Sequence, residues 1–258
     1  MTTTLRQPFG RPLRRLVGAE VVTTRATPTA KILFVAAIVL AGAACAATFA
    51  ASNAAGRRFD DTLTVRTAMH TSTVSVMILA MISAIVAVTG DFRHGRIDQL
   101  FLSAPNRSAV LWAKAAISAT IGVVYGIGGA IIGGSTALIW FRAKGETLDL
   151  SRQIVYQPLL GVILAAPLFA LIGVGISAAA RHQAATIGAV LGWMLLIEPL
   201  AATALPDIAR WFPLAAALAL TNSPNDALVS PLSGGVVLAA YSAVSILIGR
   251  AQLRRNDF

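Results

Sequence analysis

The sequence predicts an all-α membrane protein, with six transmembrane helices behind an N-terminal amphipathic helix and both termini cytoplasmic. Three observations carry that expectation. First, of 258 residues 56% are hydrophobic and 12% charged, with a mean hydropathy of +0.74, whereas a soluble domain carries about 25% charged residues. Second, six apolar runs are each long enough to cross a hydrocarbon core of about 30 Å as a helix rising about 1.5 Å per residue. Third, with the N-terminus inside, the cytoplasmic segments hold 14 of the Lys and Arg residues and the opposite loops 7, the bias expected of inner loops. Little chain remains for a soluble catalytic head.

Residues 1–31 form a cytoplasmic segment. Within it Leu13, Leu16, Val17, Val21 and Val22 alternate with Arg14, Arg15, Glu20 and Arg25, a pattern that suits a helix lying in the inner headgroup layer. The six spans make up a transmembrane domain, residues 32–249. They run from Ile32 to Ala51, Thr71 to Gly90, Ala115 to Phe141, Pro158 to Ala180, Ala184 to Leu205 and Leu232 to Gly249. A β-barrel is disfavoured because its strands would alternate over about ten residues, and these runs are apolar throughout. The small residues after the first run, Ala50-Ala51-Ser52, invite a leader-peptidase reading. The six basic residues over the preceding 31 positions make a far longer n-region than a cleaved leader has. Residues 250–258 form a basic cytoplasmic tail.

A net charge of +10 would point to nucleic acid in a soluble protein. Here the basic residues sit in short loops between apolar runs, so the excess reads as topology. The single cysteine, Cys45, excludes an intrachain disulfide. His70, His94 and His182 fall in three separate regions, which leaves a metal site without support. Ser177 and His182 lie five apart in one segment, a poor spacing for a nucleophile and its base on one helix face. No Gly-Lys dipeptide occurs, so the chain does not bind ATP through a Walker motif.

Three features remain as candidates. Gly129 and Gly133 form a GxxxG pair in the third run, a helix-packing face within the bundle or against a second copy. Glu198 is the acidic residue placed well within an apolar run. It is read either as lining a translocation path or proton site, or as a structural carboxyl that satisfies donors freed where Pro199 and Pro206 break the helix. The loop 91–114 is the most informative stretch. From Arg96 to Leu102 it reads as a short amphipathic helix, with Ile97, Leu100 and Phe101 on one face and Pro105 ending it.

This loop resembles the permease subunits of the type 2 ATP-binding-cassette exporter family. The matching positions are Asp91, Phe92, Arg93, His94, Gly95, Leu100, Leu102, Pro105, Arg107 and Lys114, with Asp91 where Glu is usual and Arg96 where Thr is usual. Leu16 to Arg25 is similar to the family's cytoplasmic elbow helix. The stretch from Glu198 through Pro206 to Pro213 is similar to an actinobacterial branch, and Leu253 to Phe258 to the family's basic ending.

The resemblance implies a non-enzymatic subunit of the bacterial plasma membrane that pairs with a second permease, identical or related, among membrane lipids. Separate nucleotide-binding subunits would hold ATP and Mg, this chain needing no cofactor of its own. Asp91, Arg93, His94, Gly95, Arg96, Leu100 and Pro105 would couple the ATPase to an export path for a drug, lipid or other amphipathic substrate. An ion-gradient-driven carrier using Glu198, and a non-transporting scaffold or immunity protein, are the alternatives from other classes.

Overall fold

The computed structural model describes residues 28–56, 62–93, 107–149, 153–180, 182–223, 225 and 227–255. The described residues are helical and contain no strand. Six helical stretches are long and apolar enough to cross a membrane. They are α1 (Pro28–Ala54), α2 (Thr62–Arg93), α3 (Arg107–Ala143), α4 (Gln153–Ala180), the composite α5–α6, and α9 (Pro231–Arg255). The composite consists of α5 (Gln183–Gly192), a π-helical turn (Trp193–Ile197) and α6 (Glu198–Ala204). Two short helices, α7 (Pro206–Ala209) and α8 (Pro213–Leu220), lie between it and α9. The amphipathic N-terminal helix, the tip of the 91–114 loop and the last three residues of the tail lie outside the described residues.

Five of the predicted spans fall inside one of these helical stretches and the fifth in order overruns its stretch by one residue, Leu205, while several helices extend beyond the predicted bounds. The second starts at Thr62 rather than Thr71, because Leu63, Val65 and Ala68 continue the helix and bury Val65 and Ala68. The larger difference lies after the fifth span. Residues 206–230 were expected as loop, yet α8 there is a buried apolar helix with Ala216, Ala217 and Ala219 inside.

Interhelical contacts give the chain path. Gly129 meets Val76 and Gly133 meets Ser72, so α2 and α3 are antiparallel, as are α3 and α4, where Gly122 meets Pro167 and Gly126 meets Ile163. On α4 and α9 the paired positions rise together: Ser242 Oγ donates to the Leu168 carbonyl, and Gly249 lies against Gly175. These two helices are therefore parallel, as alternate crossings of an up-and-down bundle must be. The helix α4 is central, with α2, α3 and α9 along it and α5 and α8 also touching it. Of its most apolar stretch 56% of residues are buried, against 22% for α1 and for α5–α6. The peripheral helices accordingly show Ile32, Val39, Leu195, Leu196 and Leu200 on the outside, an apolar surface that suits lipid rather than water.

Lipid tails are as apolar as leucine, so close packing rather than the hydrophobic effect holds such helices together. Small residues do that here. Ala37, Ala41 and Cys45 recur every fourth residue along the buried stripe of α1, which ends at Phe49. Phe49 stacks on Trp140 at 5.7 Å between ring centroids and meets Phe141 edge-on at 6.0 Å. Threonines add hydrogen bonds between helices, with the Thr48 and Thr71 hydroxyls 3.0 Å apart.

Candidate functional site

At one end of the bundle Asp91, near the close of α2, forms an ion pair with Lys114, two turns into α3. Both side chains are buried, with 8% and 5% of their surface exposed. Burying two charges is costly unless they meet in good geometry. The pair ties α2 to α3, and residues 91–93 and 107–114, predicted as parts of the loop, are the last and first turns of these two helices. Arg93 closes α2. His94, Gly95, Arg96, Leu100 and Pro105 lie outside the described residues.

Gly129 and Gly133 serve packing within the chain. A Cβ on Gly129 would sit 2.6 Å from the Val76 side chain and one on Gly133 2.8 Å from Ser72 Oγ, both on α2. A second pair on the same helix, Gly122 and Gly126, makes a closer approach. Added Cβ atoms there would lie 2.5 Å from the backbone of Pro167 and 2.6 Å from that of Ile163. Their four-residue spacing was visible in the sequence; that they face backbone was not.

The second site centres on Glu198, which is buried. Pro199 does not break the helix at this point. It has no N–H to return to Leu195, and the turn before it widens into the π-helical Trp193–Ile197 segment. In that wider turn the Glu198 N–H donates to the Trp193 carbonyl, so residues five apart stand one above the other. The Trp193 indole Nε1 then donates to Glu198 Oε1 at 3.0 Å. The helix ends instead at Leu205, where Pro206 follows and α7 begins.

The carboxylate also reaches across to α8. The backbone N–H of Leu214, in the first turn of that helix, lies 3.0 Å from Glu198 Oε2 and 3.3 Å from Oε1. The first N–H groups of a helix lack intrahelical partners, and one that is packed away from water without an acceptor is costly. Glu198 supplies the missing acceptor, with its carboxyl oxygens at the positive end of the helix dipole. Beyond the other end, Arg66 Nη2 on α2 lies 3.1 Å from the carbonyls of Asn222 and Ser223 and from Asn222 Oδ1. Asn222 takes a left-handed φ of 54° there, a helix-ending conformation that Asn tolerates. Its amide donates to Gln157 Oε1 at 2.9 Å. Thus α8 is held by a carboxylate at its start and a guanidinium past its end.

Glu198 borders two cavities. A cleft of about 260 Å³ is lined also by Pro206, Arg210, Leu214 and Asn225. A larger cavity of about 430 Å³ lies between α2, α4, α5 and α9, with Met81, Phe169, Val190, Trp193, Met194 and Tyr241 among its walls. Ser177 is elsewhere engaged, donating within its own helix to the Gly173 carbonyl at 2.6 Å. Among the described residues no three His, Cys, Asp or Glu side chains gather to hold a metal ion.

Glu198→Ala is expected to lower stability by about 1–3 kcal/mol, because it strands the Leu214 N–H and the Trp193 indole without an acceptor. Glu198→Gln retains one acceptor oxygen and should lose less; thermal unfolding in detergent compares the two. Equal stability of Glu198→Ala and the parent would refute a structural part for this carboxyl. The residues that complete the site, Arg66, Gln157, Trp193 and Asn222, carried no signal in the sequence beyond their polarity. Compared with known proteins, the chain matches no protein-family model and no curated protein.

Proposed function

We propose that this chain is the membrane-spanning permease subunit of an ATP-binding-cassette exporter of the type 2 family. It works in a bacterial plasma membrane with both termini cytoplasmic, beside a second permease subunit. The observation that carries the reading is the buried Asp91–Lys114 pair. It joins the first and last positions of the loop on which the resemblance rests. With α2 and α3 tied to each other beside this connection, a partner's push on it moves both helices together. The antiparallel packing of α2 and α3 at Gly129 and Gly133 then carries that displacement along both helices as a unit.

In this reading separate nucleotide-binding subunits hold ATP and Mg and supply the driving free energy, and this chain supplies the path. The cavity beside Glu198 supports that assignment, since its apolar walls suit an amphipathic cargo. The exposed apolar flank of α5–α6, with Leu195, Leu196 and Leu200 outward, leaves a surface for the second permease.

The test is mild-detergent purification of the tagged chain from cells that express its neighbouring genes, followed by an ATPase assay. A nucleotide-binding subunit is expected to co-purify. Replacing Gly95 or Leu100 with glutamate should abolish its recovery or uncouple hydrolysis from export, with the folded yield unchanged. A chain that purifies alone, with no associated ATPase activity, would overturn the reading in favour of a gradient-driven carrier or a scaffold.

A further inference from the structure

We infer that the cavity between α2, α4, α5 and α9 binds a lipophilic organic cation, an apolar body that bears one positive charge. Its volume of about 430 Å³ falls within the range of small-molecule sites, about 300–1,000 Å³. Among its lining residues Glu198, Tyr241 and Ser245 are the polar ones, and none is Lys, Arg or His. The Ser245 hydroxyl donates to the Ser242 carbonyl. Glu198 is therefore the one carboxyl in a mostly apolar wall.

Both oxygens of the Glu198 carboxyl accept from N–H donors, the Trp193 indole and the Leu214 backbone. These bonds also fix the group in place, so a ligand charge meets an oriented partner rather than a mobile side chain. Phe169, Trp193 and Tyr241 add aromatic rings to the wall, and such rings attract a cation that lies over their faces. Met81 and Met194 add polarisable thioethers that adapt to varied apolar shapes. An anion would meet the Glu198 carboxyl with no Lys, Arg or His among the lining residues to compensate its charge. Arg210 belongs to the neighbouring cleft, where it pairs with Asp207 at 3.6 Å.

The way in is sideways. Trp193, Tyr241, Val244 and Ile248 line the cavity and are also exposed on the apolar flank of the bundle, so a ligand dissolved in the bilayer reaches the site without crossing water. This assignment rests on the exporter reading only in naming such a cation as the cargo; binding itself requires no ATPase.

The full chain in lipid nanodiscs is titrated with tetraphenylphosphonium and, separately, with tetraphenylborate, an anion of closely similar shape, and the signal of empty nanodiscs is subtracted. Saturable binding of the phosphonium alone is expected. Glu198→Gln should weaken it about tenfold or more, and Val244→Trp, which puts an indole at the cavity mouth and leaves the carboxylate intact, should abolish it. Equal affinity for the two ions, no saturable phosphonium binding, or unchanged binding by a folded Glu198→Gln would overturn the inference. The comparison of the two ions on the unmodified chain decides the matter even if a variant fails to fold. Failure here leaves a co-purifying ATPase unexplained by this ligand class but intact, and absence of an ATPase leaves the binding result standing.

Discussion

Gly175→Val is expected to unfold or severely destabilise the protein, by about 3 kcal/mol or more. A Cβ at this position would overlap the backbone carbonyl group of Ser245, and on the facing helix a Cβ on Gly249 would lie 2.8 Å from the Gly175 carbonyl oxygen. A flexible side chain yields to an added methyl group; a helix backbone does not. To admit valine, α9 must move off α4, and Ser242 would then lose its hydrogen bond to the Leu168 carbonyl. Because dense packing is what holds membrane helices together, displacing this crossing loosens the bundle along its length. Thermal unfolding in detergent, followed by size-exclusion recovery, measures the effect. Gly188→Ala is the matched control. Nothing lies within 4 Å of a Cβ there, and removing a mid-helix glycine should stabilise by about 0.5–1 kcal/mol. If Gly175→Val melted with the parent, the backbone-to-backbone crossing of α4 and α9 would be wrong.

Breaking the Asp91–Lys114 pair should have a comparable effect. Asp91→Leu or Lys114→Met leaves the remaining charge buried without this counter-ion, and loss of one partner of a buried pair costs about 3–5 kcal/mol. The double variant, Asp91→Leu with Lys114→Met, should recover most of that loss, since two apolar groups of similar volume need no mutual compensation. The same three proteins separate stability from coupling. In the exporter reading the double variant folds well, yet its loop is no longer fastened at the base, so hydrolysis by the partner should run with reduced export. Additive losses in the stability cycle would show that the two side chains do not act as a pair.

Much of the fold was legible because a bilayer demands long uninterrupted apolar helices, and such runs need no tertiary context to be seen. The runs around Ile38, Val76, Ile131, Leu168, Val190 and Val244 each lie in a spanning helix. Glu198 stood out for the same reason, as an ionisable group where such groups are costly. The helix α8 did not stand out. With eight residues it is too short to span, and polar residues flank it, so it merged into a loop. The π-helical turn was equally hidden, because nothing in Trp193 to Ile197 differs from an α-helical sequence until Pro199 acts on the turn before it.

What the sequence determined alone was therefore the local and the additive: six spans, their alternation of direction, a basic bias between loops, and one costly carboxyl. Tertiary structure decided which groups meet. Glu198 and Leu214 are 16 residues apart and Arg66 and Asn222 are 156 apart, and no periodicity links such positions. Their pairing follows from a requirement of the whole bundle, that the end groups of a short helix packed among other helices must find partners there. The choice between Gly129–Gly133 and Gly122–Gly126 as the tighter contact was likewise settled by which neighbour each pair faces, a side chain that can turn aside or a backbone that cannot.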